Sequence, residues 1–229
     1  MEITFKHSLF VQPVTELLGE LARIGFFSHG LLIGSWPMVV YTSHFTLQYG
    51  LATDDIDFAV ENVVKVPSKP VETIPEVLER LGYEPLADYS GIETFIHGTF
   101  EVEFLTHRRG GSAPLSVIIP PWKVSAQPLP FIDMLFIRPT TVVIGDFSIR
   151  IPSPEALLLH KLIVAQRRTG RSKVEKKEKD LQQCSVLTDI ARPDELKQLI
   201  QEYRLSKDAR KAINISCAEA GIAVGRVLF

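Results

Sequence analysis

The segment ATDDIDFAV, residues 52–60, places two carboxylates one residue apart in a run that ends in apolar residues. Side chains of a strand alternate between its two faces, so Ile56 and Phe58 would point one way and Asp55 and Asp57 the other. The Cα atoms of the two aspartates would then lie roughly 7 Å apart. Like charges at that separation repel and raise the pKa of one carboxyl group unless a cation lies between them. Such a strand either loses stability or binds something positive.

The segments around this strand are predicted to alternate between helices and strands up to about residue 152. Apolar residues at helical spacing indicate helices, and two alternating runs joined at a glycine indicate a hairpin. Ser35 is a good N-cap for the helix that follows it. The predicted elements are helices at 12–25, from Ser35 onward and at 71–83, strands at 30–34 and 55–60, hairpins at 93–106 and 140–152, and loops at 46–54, 107–114 and 120–130.

Strand patterns are absent after residue 152. Ser153 and Ser206 are suitable caps for two of the helices that replace them. These helices are predicted near 153–169, 173–190, 193–203 and 206–220. The predicted fold class is therefore α/β (α+β), with a mixed sheet and flanking helices over residues 1–152 and a helical lobe over residues 153–229.

Charge is unevenly distributed along the chain, although the formal net charge is only −2. Residues 161–211 contain 14 basic and 8 acidic residues, a net charge of +6, so the rest of the chain carries about −8. The densest basic run is RRTGRSKVEKKEK, residues 167–179. Such a run is either a solvated helix face or, beside an acidic metal site, the flank of a site for a phosphorylated ligand.

Membrane and export signals are missing from the sequence. The longest apolar stretch, residues 30–41, is far shorter than the ~20 residues of a membrane span. The first residues, MEITFKHSLF, lack the charged region, apolar core and cleavage site of a signal peptide. We therefore expect a cytoplasmic protein with no membrane partner.

A glycine and a serine end the strand predicted at 30–34 and lead into the next helix. Gly34 would let the backbone approach a ligand closely, and the N–H groups at the start of the helix would favour a phosphate. Ser35 would add a hydroxyl donor. The same pattern is also typical of an ordinary turn and cap.

A second acidic strand is predicted at FEVEF, residues 100–104, where Glu101 and Glu103 alternate with apolar residues. A carboxylate from this strand beside Asp55 and Asp57 would complete an oxygen-rich site, which suits Mg²⁺. Two cations in such a site position a nucleophile and a leaving group in line. Taken alone, either strand is better explained as the solvated outer face of an antiparallel sheet, and it is the occurrence of both in this order that favours a site.

Three motifs follow one another in the sequence: Gly-Ser at a strand end, Asp-x-Asp on the next strand, and an acid between apolar residues. In this order they resemble the motifs of the nucleotidyltransferase fold typified by DNA polymerase β. The sequence looks most like the small bacterial members, which include the toxin halves of abortive-infection toxin–antitoxin pairs. The resemblance covers about residues 31–106. It extends more loosely to PSPEALLLHKLIVAQRR and EKD, which are similar to the helical segment that follows the catalytic lobe and ends here in Lys179-Asp180.

The resemblance implies a role for each residue of the motifs. Gly34 and Ser35 would hold the triphosphate, and Asp55 and Asp57 would ligate two Mg²⁺ ions. Glu103 would be the third catalytic acid, which ligates one metal and helps to deprotonate the acceptor hydroxyl.

Two alternatives accompany these assignments. Glu101 shares the face of Glu103, and the usual third acid is Asp rather than Glu. Lys161, Arg168 and Lys179 are further candidates for nucleotide contacts, although solvated helix charges would explain them equally well.

The implied function is a Mg²⁺-dependent nucleotidyltransferase that moves a nucleoside monophosphate from an NTP, such as ATP, to an acceptor hydroxyl. The acceptor would be RNA (a tRNA end, for example), a protein or a small molecule, and an antitoxin-like partner is also implied. The alternative is a catalytically inactive nucleotide-binding or regulatory protein on the same fold.

Overall fold

The computed structural model describes residues 1–50, 53–62, 70–87, 92–108, 114–170 and 173–228. Within these ranges the fold is mixed α+β, as predicted. The α-helices are α1 Val14–Arg23, α2 Pro37–His44, α3 Ile74–Arg80, α4 Pro154–Ala165, α5 Val174–Ile190, α6 Pro193–Tyr203 and α7 Lys207–Glu219. The strands are β1 Glu2–Phe5, β2 Gly30–Leu32, β3 Asp55–Val60, β4 Glu84–Ala87, β5 Glu93–His97, β6 Phe100–His107, β7 Val117–Ile119, β8 Val124–Leu129, β9 Thr140–Ile144 and β10 Phe147–Ile151.

The larger sheet has the strand order β2-β3-β6-β5-β4, with β8 added beside β6 and β7 beside β8. Strands β3 and β6 are parallel neighbours, whereas β2 and β5 run antiparallel to them. Parallel neighbours cannot be joined by a tight hairpin, and the chain between them contains α3, β4 and β5. The two acidic strands are therefore adjacent although they are distant in sequence.

The side chains of β3 alternate as the sequence predicts. Ile56 and Phe58 are fully buried, whereas Asp55 and Asp57 on the other face are only partly buried. Phe58 stacks on Phe104 of β6 with ring centroids 5.4 Å apart. The aromatic core beneath the two strands therefore fixes which face each acidic side chain occupies.

A smaller sheet has the strand order β1-β9-β10, in which β9 and β10 form the predicted hairpin and β1 adds in parallel. Helix α4 is buried along most of its length. Leu158 and Leu162 of α4 belong to the same hydrophobic cluster as Ile56 and Phe58. The core thus includes residues on both sides of position 152, and the lobe boundaries at 1–152 and 153–229 stay a prediction.

The two predicted serine caps are confirmed. Ser153 Oγ accepts a hydrogen bond from the N–H of Ala156 at 3.2 Å, and Ser206 Oγ accepts one from Ala209 at 3.1 Å. These bonds satisfy donors that have no partner within the first turn of a helix.

The prediction that Ser35 caps α2 is wrong. The cap position belongs to Trp36, whose side chain makes no capping hydrogen bond. The backbone of Trp36 is already helical, and the N–H of Met38 donates to Ser35 O at 3.0 Å. The chain therefore tightens into a turn one residue earlier than an ordinary N-cap allows.

The loop predicted at 120–130 is also wrong, because it contains β8. Strand β8 pairs in parallel with β6, where Pro128 lies opposite Thr106. The strands β1, β4 and β7 were likewise not predicted. Parts of the predicted loops, residues 51–52 and 109–113, lie outside the described residues.

Among the described helices, none combines the length and apolar character needed to cross a membrane.

Candidate functional site

Four carboxylates lie on one face of two neighbouring strands. The parallel register of β3 and β6 pairs Asp55 with Glu101 and Asp57 with Glu103. All four side chains are partly buried, while the intervening residues point into the core. This set of four is called the acidic face below. Both glutamates considered in the sequence are therefore on the same face as the aspartates, and Glu103 is the one that lies beside Asp57.

Gly34 makes room for Asp57. A Cβ atom at Gly34 would lie 2.0 Å from Asp57 Oδ2, closer than any real contact, and the backbone φ of +66° is itself unfavourable for other residues. The N–H of Ile33 donates to the carbonyl oxygen of Asp57 at 2.8 Å, which keeps the two backbones together. The glycine is thus required by the aspartate carboxylate, a reason that sequence reasoning did not identify.

The start of α2 offers fewer free N–H groups than the sequence suggested. Pro37 has none, and those of Met38 and Val39 donate to Ser35 and Trp36 at 3.0 Å each. A phosphate at this turn would therefore depend on Gly34 and Ser35 themselves rather than on the helix that follows.

Trp36 packs against the core next to the Gly34-Ser35 turn. Its side chain is buried, and its indole N–H donates to the carbonyl oxygen of Asp55 at 2.8 Å. The ring also packs near Phe10 and Phe100, with centroid distances of 5.9 and 6.4 Å. Trp36 is therefore part of the scaffold that positions β3.

The acidic face is electrostatically unfavourable when all its carboxyl groups are ionised. Burial raises the pKa of Asp57, and the charge of Asp55 raises it further. Burial likewise raises the pKa of Glu103 to about 7, with Asp57 as the next cause. Among the described residues, the Asp57 carboxylate has no hydrogen-bond or ion-pair partner. Among these residues, a cation is the partner that the Asp57 carboxylate lacks.

Lys176 of α5 reaches the acidic face and was not singled out from the sequence. Its Nζ lies 2.9 Å from Asp55 Oδ2. Position 176 precedes Asp180 by four residues, so one face of a helix carries both, and this spacing is the signal that could have identified it.

Lys161 and Arg168 converge on Asp180 rather than on the acidic face. Lys161 Nζ lies 2.9 Å from Asp180 Oδ1, and Arg168 Nε lies 2.5 Å from Oδ2. Burial alone would raise the pKa of Asp180, but the two cations together hold it below its ordinary value. These three residues are called the ion triad below. Their net charge is +1, and both cations lower the pKa of Asp57.

Lys179, the third predicted nucleotide contact, is partly buried. Burial lowers its pKa and the charge of Lys161 adds to this, whereas Asp55 and Asp57 oppose it. The side chain thus lies in the electric field of both the acidic face and the ion triad.

The donor set of the acidic face fits a divalent metal ion in its chemistry. Mg²⁺ takes carboxylate oxygens together with waters and substrate phosphates, and Asp57 presents a carboxylate with no partner among the described residues. In the described part of the chain, however, no three acidic, histidine or cysteine side chains are close enough to enclose one ion. The carboxylates share a face without closing around a single point, and Asp55 is paired with Lys176 instead.

A cavity of about 540 Å³ lies elsewhere, between β9, the start of α4 and helix α6. Its lining includes Arg138, Ser153, Glu155 and Arg192 but none of the predicted site residues. The residues of the acidic face are partly buried and do not line this cavity, so their candidacy rests on their chemistry rather than on cavity size.

Comparisons with known proteins concern the family and the fold of the chain. Residues 12–207 match the model of a family described as nucleotidyltransferase. The crystal structure of an antigenic nucleotidyltransferase-like protein from Paracoccidioides brasiliensis superposes with a TM-score of 0.50 at 14% identity, with 93% of each chain covered. At that identity the similarity establishes the fold alone. A search of curated proteins finds no match. Because the family model spans most of the sequence, the chain belongs to this family of nucleotidyltransferases, and as an enzyme it is a transferase.

Proposed function

We propose that this transferase is Mg²⁺-dependent and moves a nucleoside monophosphate from an NTP to an acceptor hydroxyl. The observation that carries the proposal is the acidic face, on which Asp57 lies against Gly34 with no partner among the described residues. Paired carboxylates on adjacent strands are unfavourable for stability on their own. Metal ions that bind together with the nucleotide would supply the positive charge that these carboxylates need.

The acidic residues have separate roles in this proposal. Asp55 and Asp57 would hold two metal ions, and Glu103 would be the third acid, since it lies beside Asp57 in the register. When bound, Mg²⁺ supplies positive charge that neutralises the triphosphate and stabilises the attacking and leaving oxygens. Glu103 would accept the proton of the acceptor hydroxyl. The hydroxyl oxygen would then bond to the α-phosphorus while the bond from that phosphorus to pyrophosphate breaks.

In the same proposal, the turn and the basic residues stabilise the phosphate groups. Gly34 and Ser35 would contact the triphosphate from the turn, while Lys161, Arg168 and Lys179 would supply positive charge from α4, α5 and the segment between them. Arg168 meets Asp180 through Nε, and the triad carries a net charge of +1. Fixed charges of this kind account for much of the catalysis of phosphoryl transfer.

The contacts of the basic run 167–179 bear on which acceptor class is favoured. Arg167 lies over the ring of Phe131 at 4.8 Å, Lys177 pairs with Glu219 at 2.9 Å, and Arg168 and Lys176 pair as described above. Arg171 lies outside the described residues. Since most described charges of the run bind within the protein, they give little support to an RNA acceptor over a protein or small-molecule one. An antitoxin-like partner and a cytoplasmic location stay predictions from the sequence.

The test is a transfer assay with Mg²⁺ and each α-phosphate-labelled NTP over total RNA, protein extract and small-molecule extract. Asp57→Asn keeps the side-chain shape but removes the charge, and we expect it to lower incorporation at least about a hundredfold. Asp54→Asn is the matched control, because Asp54 is exposed and precedes β3. It should keep full incorporation.

The labelled fraction identifies the acceptor class. Equal labelling by the wild type and by Asp57→Asn would refute the proposed roles of the acidic face. Binding of NTP without labelling of any fraction, small molecules included, would favour the catalytically inactive nucleotide-binding alternative.

A further inference from the structure

Lys176 contacts the acidic face directly, with its ammonium 2.9 Å from Asp55 Oδ2. Its side chain remains 58% exposed, so the ammonium is not confined to this contact. A role for this lysine in metal and nucleotide binding rests on the proposed function.

Helix α5, which carries Lys176, is held in place by other contacts. Asp180 binds Lys161 of α4, and one turn further on Gln183 Nε2 donates to Tyr49 Oη at 2.8 Å. Both contacts are buried or partly buried. Lys176 can therefore leave Asp55 by rotating its own side chain while the helix stays where it is.

An ammonium and a divalent cation compete for Asp55. A metal ion binds a carboxylate oxygen at roughly 2.0–2.1 Å, so an ion on Oδ2 would lie within a few ångströms of Nζ. Two cations at that separation repel each other. In its contact with Asp55, Lys176 thus supplies the positive charge that a metal ion would otherwise supply.

The competition disappears when a nucleotide binds together with the metal. A triphosphate brings several negative charges to the acidic face, and a lysine on a flexible four-carbon stem can move to them. The same ammonium that opposes a free metal ion then favours the metal–nucleotide complex.

We propose that Lys176 is an exchangeable counter-ion: it pairs with Asp55 before the metal–nucleotide complex binds and moves to the phosphate groups when that complex binds. The metal and the nucleotide are then coupled, so each raises the affinity for the other. A free divalent ion alone binds weakly, because it must displace the lysine from Asp55 when no phosphate group is present to bind the ammonium.

The test measures Mn²⁺ binding by the decrease of the free-ion EPR signal, without nucleotide and with an NTP analogue whose α–β bridge is a methylene group. Lys176→Gln is expected to bind free Mn²⁺ about fivefold more tightly than the wild type, which corresponds to about 1 kcal/mol. The factor by which Mn²⁺ strengthens analogue binding should fall about tenfold in the same variant. These two changes have opposite signs, which a general loss of structure would not produce.

Two variants serve as controls. Lys176→Arg keeps the charge and should stay within about twofold of the wild type in both measurements. Lys177→Gln removes the same charge one residue away, where the ammonium pairs with Glu219 at 2.9 Å. It should also leave both values within about twofold.

Asp57→Asn separates this inference from the proposed function. If Asp57→Asn abolishes Mn²⁺ binding while Lys176→Gln binds it as the wild type does, the counter-ion role is overturned and the metal site stands. If Asp57→Asn binds Mn²⁺ as well as the wild type does, the metal site itself is overturned, and the role of Lys176 with it.

Discussion

Replacing Glu103 by Gln is expected to stabilise the metal-free fold above neutral pH. Burial, followed by the charge of Asp57, raises the pKa of Glu103 from the ordinary value of 4.5 to about 7. The folded protein therefore binds a proton more tightly at this position than the unfolded chain does. Gln resembles the protonated carboxyl group in shape and has no charge at any pH.

The sign and the size follow from proton linkage. The stability contributed by the protonated carboxyl is fully present below pH 4.5 and is lost as the pH rises to about 7. A pKa difference of about 2.5 corresponds to a loss of up to about 3 kcal/mol in the free energy of unfolding. The variant does not undergo this loss.

The assay is urea denaturation of wild type and Glu103→Gln at a series of pH values between 4 and 8, without divalent ions. The two stabilities should be similar near pH 4.5 and should diverge by up to about 3 kcal/mol at pH 8. Glu84→Gln is the control, because Glu84 is exposed on β4 of the same sheet. Its effect should stay within about 0.5 kcal/mol throughout. A Glu103→Gln difference that does not grow with pH would refute the electrostatic account of the acidic face.

Two further substitutions test the packing around the site. Gly34→Ala places a Cβ 2.0 Å from Asp57 Oδ2 at a left-handed φ, and it should cost at least about 1–3 kcal/mol in thermal unfolding. The Gly34→Ala/Asp57→Ala double variant should regain part of the lost stability, because the carboxylate that clashes is gone. If the stability effects of the two substitutions were strictly additive, the clash would be contradicted. Asp180→Asn removes the buried anion between Lys161 and Arg168 and should cost about 3–5 kcal/mol in urea unfolding. A cost below 1 kcal/mol would show that the two cations find other partners.

Local sequence patterns predicted the acidic strands well. The alternation in β3 and β6 is visible over a few residues, because one face of each strand packs against the aromatic core while the other is partly exposed. The turn at His97-Gly98 joins β6 to β5 in a hairpin, which is again a local feature. These elements could be predicted because their hydrophobic pattern and their turns lie within one short segment.

Non-local contacts could not be predicted in the same way. Lys176 and Asp55 are 121 positions apart, and nothing within the basic run distinguishes Lys176 from Lys177, which pairs with Glu219 instead. Strand β8 was missed because Pro128 and its neighbours suggest a loop, whereas its pairing with β6 depends on tertiary structure. The need for Gly34 likewise depends on where Asp57 lies after folding.

Because β3 pairs directly with β6, the positions of the acidic side chains do not depend on the length of the chain that joins the two strands. Backbone hydrogen bonds between neighbours set the distance from Asp57 to Glu103, so α3 and β4, which pair with neither strand, can change in length or surface without moving either carboxylate. Insertions and deletions between the two strands are therefore a route by which relatives could acquire new acceptors while conserving the reaction. The variable part of such a lineage should concentrate in that connection, and the invariant part in the strand register.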